Sequence, residues 1–441
     1  MVTLIAAVVA AAIAVGWTVS PLTVACLVFL LTICAWAVRD LRGRERGWVI
    51  GALTIAVAAR VAVLAVVFLR TDPAREQFVA LIPDGRFAIQ RSLMLLDLWR
   101  GDTIGPANML IVFDPYGGHV YNRSLAIIQW FFGPSPYAIV LVSVCAFMAG
   151  AVLLFRLARP RVGRAAALIG LVLLLFWPSW FAWSVTMLKE STVLLLGTII
   201  VWGGVRLIDR ERSWLVACIA IVVGVAGLLG LRDGVVAIPA GGTLIGLGAA
   251  LALRRSGMAL ALVGACVLLL TLAASRPAVQ TFVAMQVRAA ASRHIGHVNS
   301  SGYAYKIVDQ RFYSGWPEAP WTMQFDEGVR FLMQAAAAFI LVPLPGQLPP
   351  RIGAAFLPQQ LVWYLLVALA LPGFWLGLRR SPHLTLALAG CCAAGLVVVA
   401  PNSGNIGTLV RHRDMVVPFL VWLSAAGAAR FAEGGRIHGM D

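Results

Sequence analysis

Lysine occurs at only two positions among the 35 Lys and Arg residues of the chain, Lys189 and Lys306. The first of these is followed by Glu190 in the stretch VTMLKESTVLLL, an ammonium and a carboxylate between two apolar runs. An ammonium is a compact, rotatable point charge suited to meeting a phosphate at the membrane surface, and a carboxylate beside it can orient that cation or a neighbouring donor. The pair also fits a plain interfacial anchor, with Lys189 snorkelling to water and Glu190 at the start of a helix. A general base that takes a proton from an attacking hydroxyl could be Asp84 in LIPDGRFAIQRS, although helix capping or dipole compensation accounts for an acid there equally well. Asp114, in FDPYGGH, is a second carboxylate set in ordinary turn chemistry. Further cations stand at Arg232 in GLLGLRDG and at Arg411 and Arg413 in GNIGTLVRHRD.

The elements that carry these residues must be membrane helices. The 441 residues are 61% hydrophobic and 12% charged, whereas a soluble domain carries about 25% charged residues. Apolar runs recur close to the roughly 20 residues needed to cross a bilayer core, which excludes barrel strands of about ten alternating residues. The net charge of +16 does not imply nucleic acid, because the arginines sit in short clusters between apolar runs.

Placing those clusters (Arg39 to Arg46, Arg156 to Arg164, Arg206 to Arg212, Arg254/Arg255, Arg379/Arg380, and Arg430 with Arg436) in the cytoplasm gives a consistent alternation. The expected fold is an all-α polytopic membrane protein of about twelve transmembrane helices, with both termini inside. The spans fall near 2–19, 20–38, 48–69, 136–155, 165–185, 191–206, 214–231, 235–253, 257–274, 359–378, 383–400 and 415–430. Residues 1–47 form an N-terminal hairpin and basic loop, and 48–275 a core that includes a first outer loop at about 70–135. Residues 276–358 form a second outer loop, and 359–441 the last helices and a short tail. Phe331–Leu344 would break the alternation, so it reads as an interfacial or re-entrant segment. Both outer loops are expected to carry amphipathic helices; Phe87, Met94, Leu95 and Leu98 recur at helical spacing after Asp84. Trp177, Trp180 and Trp183 read as a headgroup-level belt.

Arg60 is the exception among the cations. It lies in mid-span, where an unpaired charge costs about 2.5–3.5 kcal/mol, and should face the bundle interior with a partner. His294 and His297 share helical spacing but lack the carboxylate or cysteine companion a zinc site needs. No cofactor motif is present, and Gly241-Gly242 reads as helix packing.

Taken together, PDGRFAIQRS, YNRSLAIIQWFFGPSPYAIVLVSVCAFMAGAVLLFRLARPRVGR, FWPSWFAWSVTMLKES and the late GTLVRHRDMVVPFLVWLSAAG resemble the GT-C superfamily of polytopic glycosyltransferases. The resemblance covers residues 48–215 and 400–430. It implies a donor sugar on a polyprenyl phosphate, no cofactor with the divalent-metal question open, and inverting transfer to an acceptor on the outer face; the high alanine and arginine content with almost no lysine suggests a GC-rich bacterial genome, hence a bacterial plasma membrane and an envelope acceptor. Carried over by position, it implies Asp84 as base, Lys189 and Glu190 at the phosphate, and Arg232 and Arg411 as outer cations. The acid is followed here by Gly85 rather than by a second carboxylate, which departs from the superfamily's paired acids. A lipid-linked glycan transporter, or a glycan polymerase or ligase, is the rival reading. No internal repeat relates the two halves, which argues against a symmetric carrier.

Overall fold

The computed structural model describes residues 16, 18–71, 83–113, 119–135, 138–209, 213–231, 234–253, 268, 272, 275–300 and 303–437. Their regular structure is helical, apart from one isolated bridge between Ala304 and Asn405. Among the described residues eight helices are long and apolar enough to cross a membrane, or up to ten if two sharply bent pairs each count as one span. The expected spans 2–19 and 257–274 fall almost entirely outside the described residues, so the described chain accounts for ten of the twelve at most.

The chain divides into two compact units: Met1–Pro160, Leu168–Trp202 and Ile219–Asp233 form one, and Arg161–Ala167, Gly203–Cys218 and Gly234–Asp441 the other. The first unit is built on α1 (Pro21–Val38), α2 (Gly43–Arg70), α3 (Pro83–Arg100), α4 (Pro106–Val112), α5 (His119–Phe132), α8 (Pro178–Ser184) and the larger parts of α6 (Ala138–Val162), α7 (Arg164–Leu175), α9 (Glu190–Ile208) and α10 (Trp214–Leu231), whose residues within Arg161–Ala167 and Gly203–Cys218 belong to the second unit. Helix α1 begins with Pro21, whose missing N–H is no loss in a first turn, while the Ser20 hydroxyl accepts from Thr23 N at 3.3 Å. Where α1 turns into α2, arginines of α6 tie down the acids: Arg156 meets Asp40 at 2.7 Å and Arg159 meets Glu45 at 2.6 Å. Such partly exposed pairs contribute about 0–1 kcal/mol each, so they fix register more than stability.

The stretch expected as one straight span at 165–185 is broken. Pro178 has no N–H to continue the ladder, so α7 ends at Leu175 and α8 restarts at a 59° bend. Breaking the helix there frees the Leu175 carbonyl, and the buried Arg60 of α2 uses it, donating from Nη2 at 2.9 Å. Its Nε donates to Ser184 Oγ at 2.7 Å and its Nη1 to the Ala56 carbonyl at 3.0 Å. The rings of Phe147 and Phe181 lie 4.4 and 4.7 Å from the guanidinium carbon. Arg60 therefore has the interior partners its position demands, all of them neutral. The belt expected of three tryptophans is not formed, since Trp177 and Trp180 are buried inside this unit, where Trp180 packs against Phe147.

The second unit contains α11 (Pro239–Leu253), α12 (Pro277–Asn299), α13 (Gln310–Ser314), α14 (Phe325–Leu341), α15 (Pro350–Arg380), α16 (Pro382–Val399), α17 (Ile406–Arg413) and α18 (Val417–Ile437). Helices α11 and α16 are in backbone contact at Gly242, Gly246 and Gly390, where any Cβ would collide with the facing main chain; Gly241 faces open space. Gly373 and Gly427 do the same for α15 and α18. Asp209 ties Arg161 at 2.7 Å to His383 at 2.6 Å. The segment expected as interfacial or re-entrant, Phe331–Leu344, lies largely in α14, an amphipathic helix that buries Phe331, Ala335, Ala338 and Phe339 and exposes Phe325 and Met333.

Helix α12 carries His294, fully buried under the paired segments around Ala304 and Asn405. Its Nδ1 donates to the Ser403 carbonyl at 2.6 Å, which leaves Nε2 as acceptor for the Tyr313 hydroxyl at 3.4 Å. His297, Tyr305 and Arg413 are the titratable neighbours that influence this cluster. Burial brings the imidazole pKa down from 6.5 to about 4, so the fold holds it neutral. As pH falls, the unfolded chain takes up the proton first. Its stabilising contribution is therefore intact above pH 6.5 and declines towards pH 4, by up to about 3 kcal/mol. Thermal unfolding in nanodiscs is expected to show this slope, and His294→Gln, less stable throughout, to flatten it. An unchanged slope in that variant would assign the pH dependence elsewhere.

Candidate active site

Within the first unit, four chain segments meet around the turn that separates α8 from α9. The Thr186 hydroxyl closes the end of α8 by donating to the Ala182 and Trp183 carbonyls at 3.3 and 3.0 Å. The chain then runs through Met187 and Leu188 to Lys189 and enters α9 at Glu190, an acid in the first turn where the helix dipole favours it. Glu190 is buried and Lys189 half-buried. The Lys189 ammonium donates to the carbonyl of Leu231, the last residue of α10, at 3.3 Å. A cation at a helix C-terminus satisfies one of its orphaned carbonyls and its negative end together.

Helix α3 reaches the same turn from the first outer loop. Its Gly85 lies so close that an added Cβ would sit 3.2 Å from the Met187 nitrogen. Helix α5 packs against α10, where Gly230 has no room for a Cβ beside Val120. The residue after Val120 is Tyr121, buried with its hydroxyl out of contact with water. Burial and the nearby Glu190 carboxylate both hold the Tyr121 phenol above its ordinary pKa, so it remains a protonated donor. Behind it, Gln129 Nε2 donates to Ser92 Oγ at 2.7 Å, and Leu95, Val112 and Ala126 form a small apolar core joining α3, α4 and α5.

The residues singled out by chemistry are distributed as follows. Lys189 and Glu190 form the centre of this junction. Asp84 occupies the first turn of α3 next to Gly85, and its side chain lies outside the described residues. Arg232 follows Leu231 directly in sequence and Asp114 lies five residues ahead of α5; both are outside the described residues. Arg411 and Arg413 belong to α17 of the second unit. Arg411 is half-buried, whereas Arg413 is enclosed: it donates to Gln360 Oε1 at 2.9 Å and to the Val342 carbonyl, with the Trp363 ring 4.6 Å away. Among the described residues no group of three or more His, Cys, Asp or Glu side chains could hold a metal ion.

Sequence reasoning did not single out Tyr121, Asn122 or Gln129. All three lie on the buried stripe of α5 together with Leu125 and Ala126. Polar residues on the inward stripe of an amphipathic helix were the available signal. Of the apolar positions expected on the inner side of α3, Leu95 is buried and Met94 and Leu98 pack against its cluster, whereas Phe87 is exposed; Gly85, Ile89, Ser92 and Leu96 are buried as well.

A model of the dolichyl-phosphate-mannose-protein mannosyltransferase family matches residues 120–274, about a third of the 441-residue chain. The matched region begins at Val120 in α5 and contains the Lys189 turn, α9 and α10, and it supports the resemblance to the GT-C glycosyltransferases. No curated protein and no solved structure matches the chain.

Proposed function

We propose that the chain is a membrane glycosyltransferase that moves a sugar from a polyprenyl-phosphate donor to an envelope glycan, lipid or protein acceptor, with inversion. The observation that carries this reading is the approach of Gly85 to Met187. Gly85 at the start of α3, the residue after Asp84 in the chain, lies beside the turn that presents Lys189, which supports this reading. Asp84 takes the proton of the acceptor hydroxyl as its oxygen attacks the anomeric carbon, and the bond from that carbon to the phosphate oxygen breaks. Lys189, oriented by Glu190, meets the negative charge that accumulates on the departing phosphate, with Arg232 as a further outer cation. Asp114 is a second carboxylate of the same outer region. The enclosure of Arg413 by Gln360 and aromatic rings favours a positioning role over direct phosphate contact. The oxocarbenium-like transition state carries positive charge on the sugar, so an acid above it and a cation below the leaving group divide the work.

A polyprenyl phosphate stays at headgroup depth, and the turn between α8 and α9 lies where one apolar helix ends and the next begins. We assign that turn to the extracytoplasmic face, opposite the basic clusters around Arg156 and Arg159, in a multi-pass protein of a bacterial plasma membrane with both termini inside. The test is release of free polyprenyl phosphate from a panel of radiolabelled polyprenyl-phosphate sugars by the purified protein in nanodiscs with cell-envelope acceptor. Release is the expected result. Movement of a fluorescent lipid-linked glycan between leaflets, with no release across the panel, would replace the transferase by a carrier.

A further inference from the structure

Tyr121 is 6% exposed, and its hydroxyl is buried without a hydrogen-bond partner. Leaving a buried donor unmade costs the full desolvation of that group, so native chains retain one where something else completes it. The site around it is built. Val120 locks the first turn of α5 against Gly230, and one residue beyond Gly230 the Leu231 carbonyl receives the Lys189 ammonium. The next residue after Lys189 is the buried Glu190, whose charge acts on the phenol. The hydroxyl is thus a buried, unpartnered donor that feels the charge of a carboxylate, in the same cluster of segments as the Lys189 turn proposed to meet the donor phosphate.

We infer that Tyr121 is a sugar-recognition residue: its hydroxyl donates to one hydroxyl group of the transferred sugar, and that group donates in turn to the Glu190 carboxylate. A sugar hydroxyl has a donor and two acceptor lone pairs, which matches a phenol on one side and a carboxylate on the other. This assignment rests on the transferase reading above and extends it from the lipid phosphate to the sugar. It also gives Glu190 a contact with substrate, besides orienting Lys189. A site that hydrogen-bonds a substrate hydroxyl discriminates strongly against the analogue lacking it, because its own polar groups are then left unmade.

The experiment uses the full chain in nanodiscs, the polyprenyl-phosphate sugar that wild type turns over, and the monodeoxy analogues of that sugar. Wild type is expected to use one analogue roughly 100-fold less well in kcat/KM, and Tyr121→Phe to narrow that ratio to within roughly 10-fold while the ratios for the other analogues stay put. Thermal unfolding supplies a readout independent of turnover. Without donor, Tyr121→Phe should melt at or above the wild-type temperature, since the deleted hydroxyl has no protein partner, and the donor-induced rise in melting temperature should shrink. An unaltered deoxy profile, a parallel loss with every donor, or a lower melting temperature in the absence of donor would each overturn the assignment and leave the transferase reading standing. If wild type turns over no donor in the panel, the transferase reading fails and this inference fails with it.

Discussion

Lys189→Ala is expected to slow release of polyprenyl phosphate by roughly 10²–10³-fold, the usual effect of deleting one preorganised donor at developing charge. The ground-state phosphate is already anionic, so part of the loss should appear as weaker donor binding and the larger part in kcat. Lys189→Arg should recover only a fraction. A planar guanidinium cannot reproduce a compact ammonium that also reaches the Leu231 carbonyl at 3.3 Å. Asp84→Asn removes the base without changing its size and should cost roughly 10²–10⁴-fold in kcat, with donor binding preserved. The two losses should not sum when combined, because base and leaving-group cation act in one transition state. Single-turnover release from a radiolabelled donor measures all of this. Wild-type kcat in Lys189→Ala would sink the phosphate assignment, and a pure KM effect in Asp84→Asn would sink the base.

The second large effect concerns folding. Arg60→Ala should destabilise the first unit by roughly 3–5 kcal/mol, the range for emptying a large buried site. The substitution leaves a cavity between Phe147 and Phe181 and takes the donor from the Leu175 carbonyl. That carbonyl is buried at a helix end and has no other helix to turn to. Arg60→Lys is expected to rescue little, since one ammonium cannot serve Ser184, Ala56 and Leu175 while stacked between two rings. The measurement is thermal unfolding in nanodiscs together with the yield of monodisperse protein. A folded Arg60→Ala variant of wild-type stability that had lost activity would move Arg60 from the scaffold to a transport or catalytic path.

How much of this was legible beforehand depends on the range of each interaction. Apolar length and helical spacing mark a helix from within itself, which is why most expected spans coincide with helices and why Asp84 and Glu190 were placed at helix starts. The break at Pro178 was written in the chain, yet an apolar run on both sides made it read as one span. The partner of Arg60 could not be named, because Ser184 lies 124 residues away and the Leu175 carbonyl is backbone that every residue carries. The tryptophans misled for a related reason. Composition says that an indole suits an interface, but whether it faces lipid or Phe147 is decided by packing. Tyr121 was missed because a lone phenol in an amphipathic run carries no motif, and only its neighbours from α9 and α10 give it meaning.

Gly85 narrows the mutational routes open to this chain. An acid pair cannot be completed without strain by substituting the residue after Asp84. A Gly85→Glu side chain would begin 3.2 Å from the Met187 nitrogen, tighter than an ordinary contact, so the turn that presents Lys189 would have to yield by a few tenths of an ångström. Gaining the second carboxylate would therefore strain the turn that carries the cation it was meant to assist. A lineage or an engineer seeking a metal-assisted version would avoid that strain by first lengthening or retracting the α8–α9 connection. The single acid and the close-fitting turn are in this sense one inherited choice, to be changed together or not at all.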